Sequence, residues 1–189
     1  MQLQYNSPVI LTFFLLSLGA LFLGQWTGGW TTKHLFCVYR GSLKDPLFYI
    51  RLFGHVLGHA SWDHFFGNIM MLLVVGPLLE EKYGSANILF VILTTALVTG
   101  VINFILFPHV QLLGASGVVF AFILLASFTS IEDGKIPLTF ILVALIYIGQ
   151  QVYDGLFIRD NVSNLTHILG GIVGSSLGYV MNKNKMNRY

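Results

Sequence analysis

Six apolar runs divide this chain, and they constrain its fold more than any other feature of the sequence. A helix that crosses a ~30 Å hydrocarbon core needs about 17–25 mostly apolar residues. Of the 189 residues, 55% are hydrophobic and only 10% are charged, whereas soluble domains have about 25% charged residues. We therefore predict an all-α membrane protein, a single domain over residues 1–189 with spans at about 9–26, 62–79, 86–106, 116–131, 136–152 and 166–182.

The segment between the first two runs, 27–61, has a different character. It carries four Lys and Arg residues among many aromatic residues, so it is too polar to span a bilayer and too aromatic for a solvated linker. Because irregular backbone cannot face lipid, we expect a long loop that lies at the interface or partly inside the membrane. The connections at 80–84 and 132–135 are short, charged and contain glycine, which is typical of turns at the membrane surface.

The distribution of charge predicts the orientation of the chain. Five of the ten Lys and Arg residues fall on each side of the predicted bilayer, but short loops close to span ends carry the most weight. The basic cluster at Lys183, Lys185 and Arg188 therefore favours both termini in the cytoplasm.

The N-terminus lacks the basic residues of a signal peptide, so we expect the first run to be retained as a helix. A net charge of only +2, with no basic helix, excludes a nucleic-acid partner.

Three polar residues lie at one depth in the predicted bundle. His64, Ser116 and His167 each stand 16 residues before the charged residue that ends their run, and these three runs cross in the same direction. At ~1.5 Å per residue each lies about 24 Å from the same interface. Polar groups at such a depth are costly unless they pair or face water, so they are candidates for function. Interhelical hydrogen bonds that only hold the bundle together are the alternative.

A stripe of glycines follows His167 on the last run. Gly170, Gly174 and Gly178 continue from the histidine at intervals of three and four, which places all four residues on one helical face. Such faces let membrane helices approach closely. If the neighbour is the fourth run, Ser116 comes within hydrogen-bond reach of the imidazole. Generic membrane packing also explains the glycines taken alone.

The residues around Ser116 suit nucleophilic catalysis. The serine begins its helix shortly after Gly114, so free N–H groups of a helix N-terminus surround its hydroxyl and can stabilise an oxyanion. Gly117 removes side-chain bulk beside it. On the second run, His64 and Asn68 stand four residues apart on one face, and both can donate hydrogen bonds to an oxyanion.

The other ionisable residues argue against a metal and against a catalytic triad. His55 and His59 have the spacing of two zinc ligands on a helix, but the glutamate of a His-Glu-x-x-His metalloprotease is missing. We predict no metal and no cofactor.

All eight acidic residues lie near span ends or in loops, so a Ser116–His167 dyad is favoured over a triad with an orienting acid. With Cys37 as the only cysteine, no internal disulfide can form.

In order and spacing these residues resemble the rhomboid family of intramembrane serine proteases. The similarity is to the compact six-span bacterial GlpG type without an additional cytoplasmic domain, and it covers the chain from about residue 48 onward. The motifs that carry it are His64-x-x-x-Asn68, Glu80-x-x-x-Gly84, Gly114-x-Ser116-Gly117, and His167 with Gly170 and Gly174.

The resemblance implies a role for each of these residues. Ser116 would be the nucleophile and His167 the general base, later the acid. His64, Asn68 and the Ser116 N–H would form the oxyanion site. The substrates would be transmembrane segments of other proteins in a bacterial inner membrane, with residues 152–164 and the fifth span acting as a movable gate.

Two positions depart from the family pattern. The usual Trp-Arg pair of the first loop reads Ile50-Arg51, which keeps the cation without the indole. The aromatic residue four after the serine, commonly Tyr, is Phe120. Its ring can still stack on His167, but it has no hydroxyl to form a hydrogen bond.

Two other functions stay open on the residues alone. Histidines at one depth would also suit a small transporter or channel with a histidine-lined polar path. An inactive rhomboid-like protein that binds membrane clients would keep the same fold, although the intact Ser–His pair argues against it.

Overall fold

The computed structural model describes residues 5–128 and 164–186, together with six helical positions between them, 138, 141, 142, 145, 146 and 149. The elements of the two continuous parts are helical. They are α1 Pro8–Trp26, α2 Trp30–Leu35, α3 Pro46–Gly54, a 3-10 turn His55–Leu57, α4 Trp62–Tyr83, α5 Ser85–Leu106, α6 Ser116–Phe128 and α7 Asn164–Met186. The predicted all-α membrane fold is confirmed.

Three helices among the described residues are long and apolar enough to cross a membrane: α1 with 19 residues, and α4 and α5 with 22 each. The helix α6 is a shorter apolar helix of 13 residues, and its predicted continuation to 131 lies outside the described residues. The predicted fifth span, 136–152, also lies outside them apart from the isolated helical positions. The last helix, α7, has 23 residues and contains the whole of the predicted sixth span.

The helix α4 continues beyond the predicted end of its span at residue 79. The charged residues that follow extend it through Tyr83, because Glu and Lys are good helix formers. It ends at Gly84, whose φ of 82° is a conformation that favours glycine. The N–H of Gly84 still donates to the carbonyl of Glu80, at 2.8 Å. The helix therefore continues through the charged residues before the chain turns into α5.

The core lies between α1, α4, α5 and α6. Its buried side chains are apolar and include Ile10, Phe13, Phe65, Leu72, Ile88, Val91, Val118, Phe122 and Leu125. On the outer faces of α1, α4 and α5, many large apolar side chains stay exposed, among them Leu15, Leu16, Met70, Val74, Leu78, Phe90 and Ile105. Apolar surface this extensive marks a face that meets lipid rather than water.

A carboxylate from α4 caps the N-terminus of α1. Oε1 of Glu80 accepts from the N–H of Val9 and Oε2 from the N–H of Ile10, both at 3.0 Å. The hydroxyl of Ser85 also donates to Oε1, at 2.7 Å. Glu80 is buried, so its charge is compensated by these donors and by the positive end of the α1 dipole. This contact fixes α1 against the junction of α4 and α5.

Glu80→Ala is expected to lower the free energy of unfolding by roughly 2–4 kcal/mol, because one buried and one part-buried N–H group of α1 lose a charged acceptor. Thermal unfolding in detergent measures the change. Glu81→Ala is the matched control, since the Glu81 side chain is exposed and its loss should leave the midpoint within a degree or so of the wild type. Equal midpoints for the two variants would contradict the role of the cap.

A buried arginine stabilises the loop between α1 and α4. Arg51 on α3 is 1% exposed, and its Nη2 donates to Oδ2 of Asp45 at 2.7 Å. The guanidinium also lies over the ring of Tyr39, 4.6 Å from the centroid. Asp45 in turn caps α3 by accepting from the N–H of Leu47 at 3.0 Å, and the Arg51 hydrogen bond lowers the pKa of the Asp45 carboxyl. The cation thus anchors the loop beside an exposed Ile50.

Candidate active site

The helices α6 and α7 pack backbone against backbone. A Cβ added at Gly170 would overlap the carbonyl of Gly117, and a Cβ at Gly174 would overlap the carbonyl of Ala121. Both glycines belong to the small-residue face of α7, which the intervals of three and four residues in the sequence predict. Because the obstructing atoms are backbone, no larger residue fits at these two positions without separating the helices.

Ser116 and His167 meet where these two helices touch. Ser116 is the first residue of α6, and α7 brings the imidazole of His167 beside it. Nε2 of His167 lies 2.8 Å from Oγ of Ser116, a hydrogen-bond distance. The ring of Phe120, one turn along α6, lies 4.8 Å from the imidazole between centroids, at an interplanar angle of 46°. A serine hydroxyl paired with an imidazole nitrogen is the arrangement that activates a nucleophile.

His64 and Asn68 of α4 lie beside the turn that leads to Ser116. An added Cβ at Gly114 would lie 2.7 Å from Nε2 of His64 and 3.7 Å from Nδ2 of Asn68, and the φ of Gly114 is 125°. Glycine is therefore required there for space and for conformation. Asn68 is 8% exposed, and within the described residues its Nδ2 has no hydrogen-bond partner. A buried donor without an acceptor is costly, but a donor held beside a nucleophile can stabilise an oxyanion.

The capped start of α4 sets the position of these two side chains. Oγ of Ser61 accepts from the N–H of His64 at 3.2 Å, which begins the helix at Trp62. Asp63 in the first turn adds a favourable interaction with the helix dipole. The spacing of four residues then places Asn68 on the same face as His64.

The two histidines with zinc-ligand spacing, His55 and His59, hydrogen-bond to different groups. Nδ1 of His55 lies 3.1 Å from the carbonyl of Leu52, and its Nε2 lies 3.2 Å from Oγ1 of Thr99. Nδ1 of His59 lies 3.1 Å from the carbonyl of Leu57. Among the residues that the structure describes, no group of three or more His, Cys, Asp or Glu side chains is placed to hold a metal ion.

The turn that precedes α6 is tied to the loop between α1 and α4. Val38 and Leu112 exchange two backbone hydrogen bonds of 2.9 Å and form an isolated antiparallel bridge. The N–H of Gly114 donates to the carbonyl of His55 at 2.9 Å. The amide of Asn103 on α5 donates to one carbonyl in each of the two segments, both at 3.3 Å. The loop therefore supports the turn from which the serine projects.

Sequence reasoning missed Thr99 and Asn103 as partners of these segments. Both are buried polar residues of α5, and with Thr95 they recur every four residues within an apolar run. That interval places all three on one face of the helix. A polar stripe on an otherwise apolar helix is the signal that could have found them.

Comparison with known proteins identifies the family. The family model of the Rhomboid domain matches residues 47–184, which is most of the chain. The chain belongs to the rhomboid family.

The relatives of this rhomboid are similar to it at low identity. Rhomboid-related protein 2 of Mus musculus is 29% identical in an alignment 195 residues long that covers 92% of this chain and 65% of the mouse protein. Rhomboid protease GlpG of Haemophilus influenzae is 28% identical, with 72% of each chain covered. Rhomboid protease GluP of Bacillus subtilis is 26% identical over 89% of this chain and 34% of its own length. This rhomboid therefore spans less than two thirds of the mouse and B. subtilis proteins.

Two buried histidines outside the membrane-spanning helices should make this rhomboid sensitive to acid. Burial lowers the pKa of His55 to about 4, and burial together with nearby His64 lowers the pKa of His59 to about 4. A histidine of the unfolded chain titrates near 6.5, so below that pH the unfolded state binds protons first. Above pH 6.5 these histidines do not reduce the free energy of unfolding. As pH falls toward 4 the free energy of unfolding decreases, by about 2 kcal/mol for each histidine at pH 5.

Thermal unfolding in detergent at pH 7.5, 6 and 5 checks this expectation. The midpoint should fall steeply below pH 6.5, and His59→Gln should show a smaller fall relative to its own midpoint at pH 7.5. A wild-type midpoint that stays constant from pH 7.5 to 5 would contradict the neutral, buried state of the two rings.

Proposed function

We propose that this rhomboid is a serine endopeptidase that cleaves peptide bonds in or near transmembrane segments of other membrane proteins. The observation that carries the proposal is the 2.8 Å contact between Oγ of Ser116 and Nε2 of His167. Two relatives are named rhomboid proteases, which supports the same chemistry in this chain.

The proposed reaction uses a Ser116–His167 dyad. Nε2 of His167 takes the hydroxyl proton as Oγ attacks the substrate carbonyl, and later gives a proton to the leaving amine. The oxyanion accepts hydrogen bonds from His64, Asn68 and the Ser116 N–H at the start of α6. Water then hydrolyses the acyl-enzyme, with His167 again acting as the base. The reaction needs no metal and no cofactor.

The remaining motif residues support this site without taking part in the chemistry. Some give space or conformation to the dyad and the turn, and others hold the helices and the loop in place. They are Gly114, Gly117, Phe120, Gly170, Gly174, Glu80, Gly84 and Arg51.

We propose that the protein forms one membrane domain in a bacterial inner membrane. Both termini would lie in the cytoplasm, and the dyad would lie below the outer surface of the membrane. The basic residues near the C-terminus support this orientation. Substrates are other membrane proteins, reached from the bilayer. The proposed gate, 152–164 with the fifth span, lies outside the residues that the structure describes, apart from Asn164 at the start of α7 and the isolated helical positions of the fifth span.

A serine-directed fluorophosphonate and a single-span model substrate test the proposal. In detergent, we expect the purified protein to form one covalent adduct, mapped by mass spectrometry to Ser116, and to cut the substrate into two fragments. Protein unfolded by heat is the control for specific labelling. Solute flux in proteoliposomes without cleavage would favour the transporter, and substrate binding without cleavage would favour an inactive client-binding protein.

A further inference from the structure

His55 connects the loop between α1 and α4 to the turn that precedes the serine. Its carbonyl accepts from the N–H of Gly114 at 2.9 Å. Gly114 in turn lies against the ring of His64, because an added Cβ would be 2.7 Å from Nε2. The position of the His55 backbone therefore sets both the direction of the turn and its distance from a side chain of the proposed oxyanion site.

The ring of His55 is fixed on both sides. Its Nδ1 faces the carbonyls of Arg51 and Leu52, at 3.3 and 3.1 Å, so the proton of the neutral ring is assigned to this nitrogen. Nε2 is then an acceptor, and Oγ1 of Thr99 lies 3.2 Å from it. The Thr99 hydroxyl is also 2.7 Å from the carbonyl of Thr95 and 3.3 Å from that of Ala96, so its single proton is shared among Nε2 of His55 and two backbone carbonyls.

The helix α5 approaches the ring closely at this point. Gly100, next to Thr99, leaves room for the loop, since an added Cβ would lie 3.0 Å from the carbonyl of Leu52 and 3.3 Å from Cε1 of His55. His55 is 1% exposed, so a ring that loses the hydroxyl cannot replace it with bulk water. Its Nε2 would be left as a buried acceptor without a donor.

We infer that His55 is a positioning residue for the nucleophile turn and that the Thr99 hydroxyl holds it in place. The inference rests on the proposed function and deepens it, because it names the residues that align the Ser116 N–H and His64 with the developing oxyanion. A displacement of about 1 Å at such a site can lower the rate of the chemical step by ~10²-fold. Because both His55 and Thr99 are buried and the change lies away from the protein surface, we expect the effect to fall on kcat rather than on KM.

Thr99→Val tests the inference, because it removes the hydroxyl and keeps the branched shape. Thr99→Ser is the conservative variant that restores the hydroxyl. Thr95→Val is the matched control one turn earlier on α5: Thr95 is fully buried, and within the described residues its Oγ1 has no hydrogen-bond partner. Each variant is assayed for kcat and KM on the single-span substrate, for the rate of fluorophosphonate labelling of Ser116, and for its thermal midpoint.

We expect Thr99→Val to lower kcat and the labelling rate about tenfold with KM within about twofold of the wild type. Thr99→Ser should recover most of both rates, and Thr95→Val should match the wild type. Equal rates for Thr99→Val and Thr95→Val would overturn the inference, as would a loss that Thr99→Ser does not recover. If Thr99→Val fails to fold, Thr99→Ala against Thr95→Ala gives the same comparison without an added methyl group.

The labelling rate separates this inference from the proposed function. A wild-type protein that labels at Ser116 but cleaves no substrate would contradict the proposed protease activity. In that case the labelling rates of the Thr99 and Thr95 variants still decide whether His55 positions the turn.

Discussion

Replacing Ser116 with alanine is expected to lower kcat/KM for a single-span substrate by at least ~10³-fold, with the thermal midpoint unchanged. The change removes the Oγ that lies 2.8 Å from Nε2 of His167, so no acyl-enzyme can form. Little packing is lost, because the side chain is small and only half-buried. Fragment formation on gels and by mass spectrometry, at several substrate concentrations, measures the effect.

Ser127→Ala is the matched control for this prediction. Ser127 lies on the same helix, and its hydroxyl donates to the carbonyl of Ile123 at 2.9 Å within α6. Its loss removes a serine hydroxyl from α6 without touching the dyad, so kcat/KM should stay within about twofold of the wild type. Cleavage by Ser116→Ala as fast as by Ser127→Ala would refute the proposed nucleophile.

The second large effect is expected at the contact between α6 and α7. Gly174→Ala should destabilise the protein by about 3 kcal/mol, the upper end of ordinary overpacking. The added Cβ would overlap the carbonyl of Ala121, a backbone atom that no side-chain rotation can move aside. The helix α7 must then move away from α6, which lengthens the distance from His167 to Ser116. Cleavage should fall together with the thermal midpoint.

Gly19→Ala on α1 controls for the loss of a helical glycine. An added Cβ at Gly19 has no atom within 4 Å, so this variant should gain helix propensity, up to ~1 kcal/mol, and keep its activity. Thermal midpoints and cleavage rates of the two variants are compared in the same detergent. A Gly174→Ala midpoint as high as that of Gly19→Ala would show that the helices are not in backbone contact.

Features that act within one helix could be predicted from the sequence. The apolar runs predicted the bounds of α1, α4 and α5 to within a few residues, because a helix needs a minimum apolar length to cross the bilayer. Intervals of three and four residues predicted the glycine face of α7, and this face lies against α6. Ser116 and His167 were expected to meet if these two helices were neighbours, and they are neighbours in the structure.

Contacts between distant segments could not be predicted, because a single sequence has no periodicity that encodes them. The bridge between Val38 and Leu112 and the hydrogen bond from Gly114 to His55 form only when the loop docks on the turn before α6. The charged residues after 79 were expected to form a turn. Their helix propensity and the special conformation of Gly84 instead extend α4.

The cap on α1 also bears on the order in which the protein assembles. Val9 and Ile10 donate to a carboxylate that lies 71 and 70 residues later in the chain. The helix α1 is therefore synthesised before its acceptor exists, and it gains that acceptor only after the end of α4 has been made. The contact with Glu80 is therefore a late step of assembly, and a chain that ends before Glu80 leaves the N–H groups of Val9 and Ile10 without this acceptor.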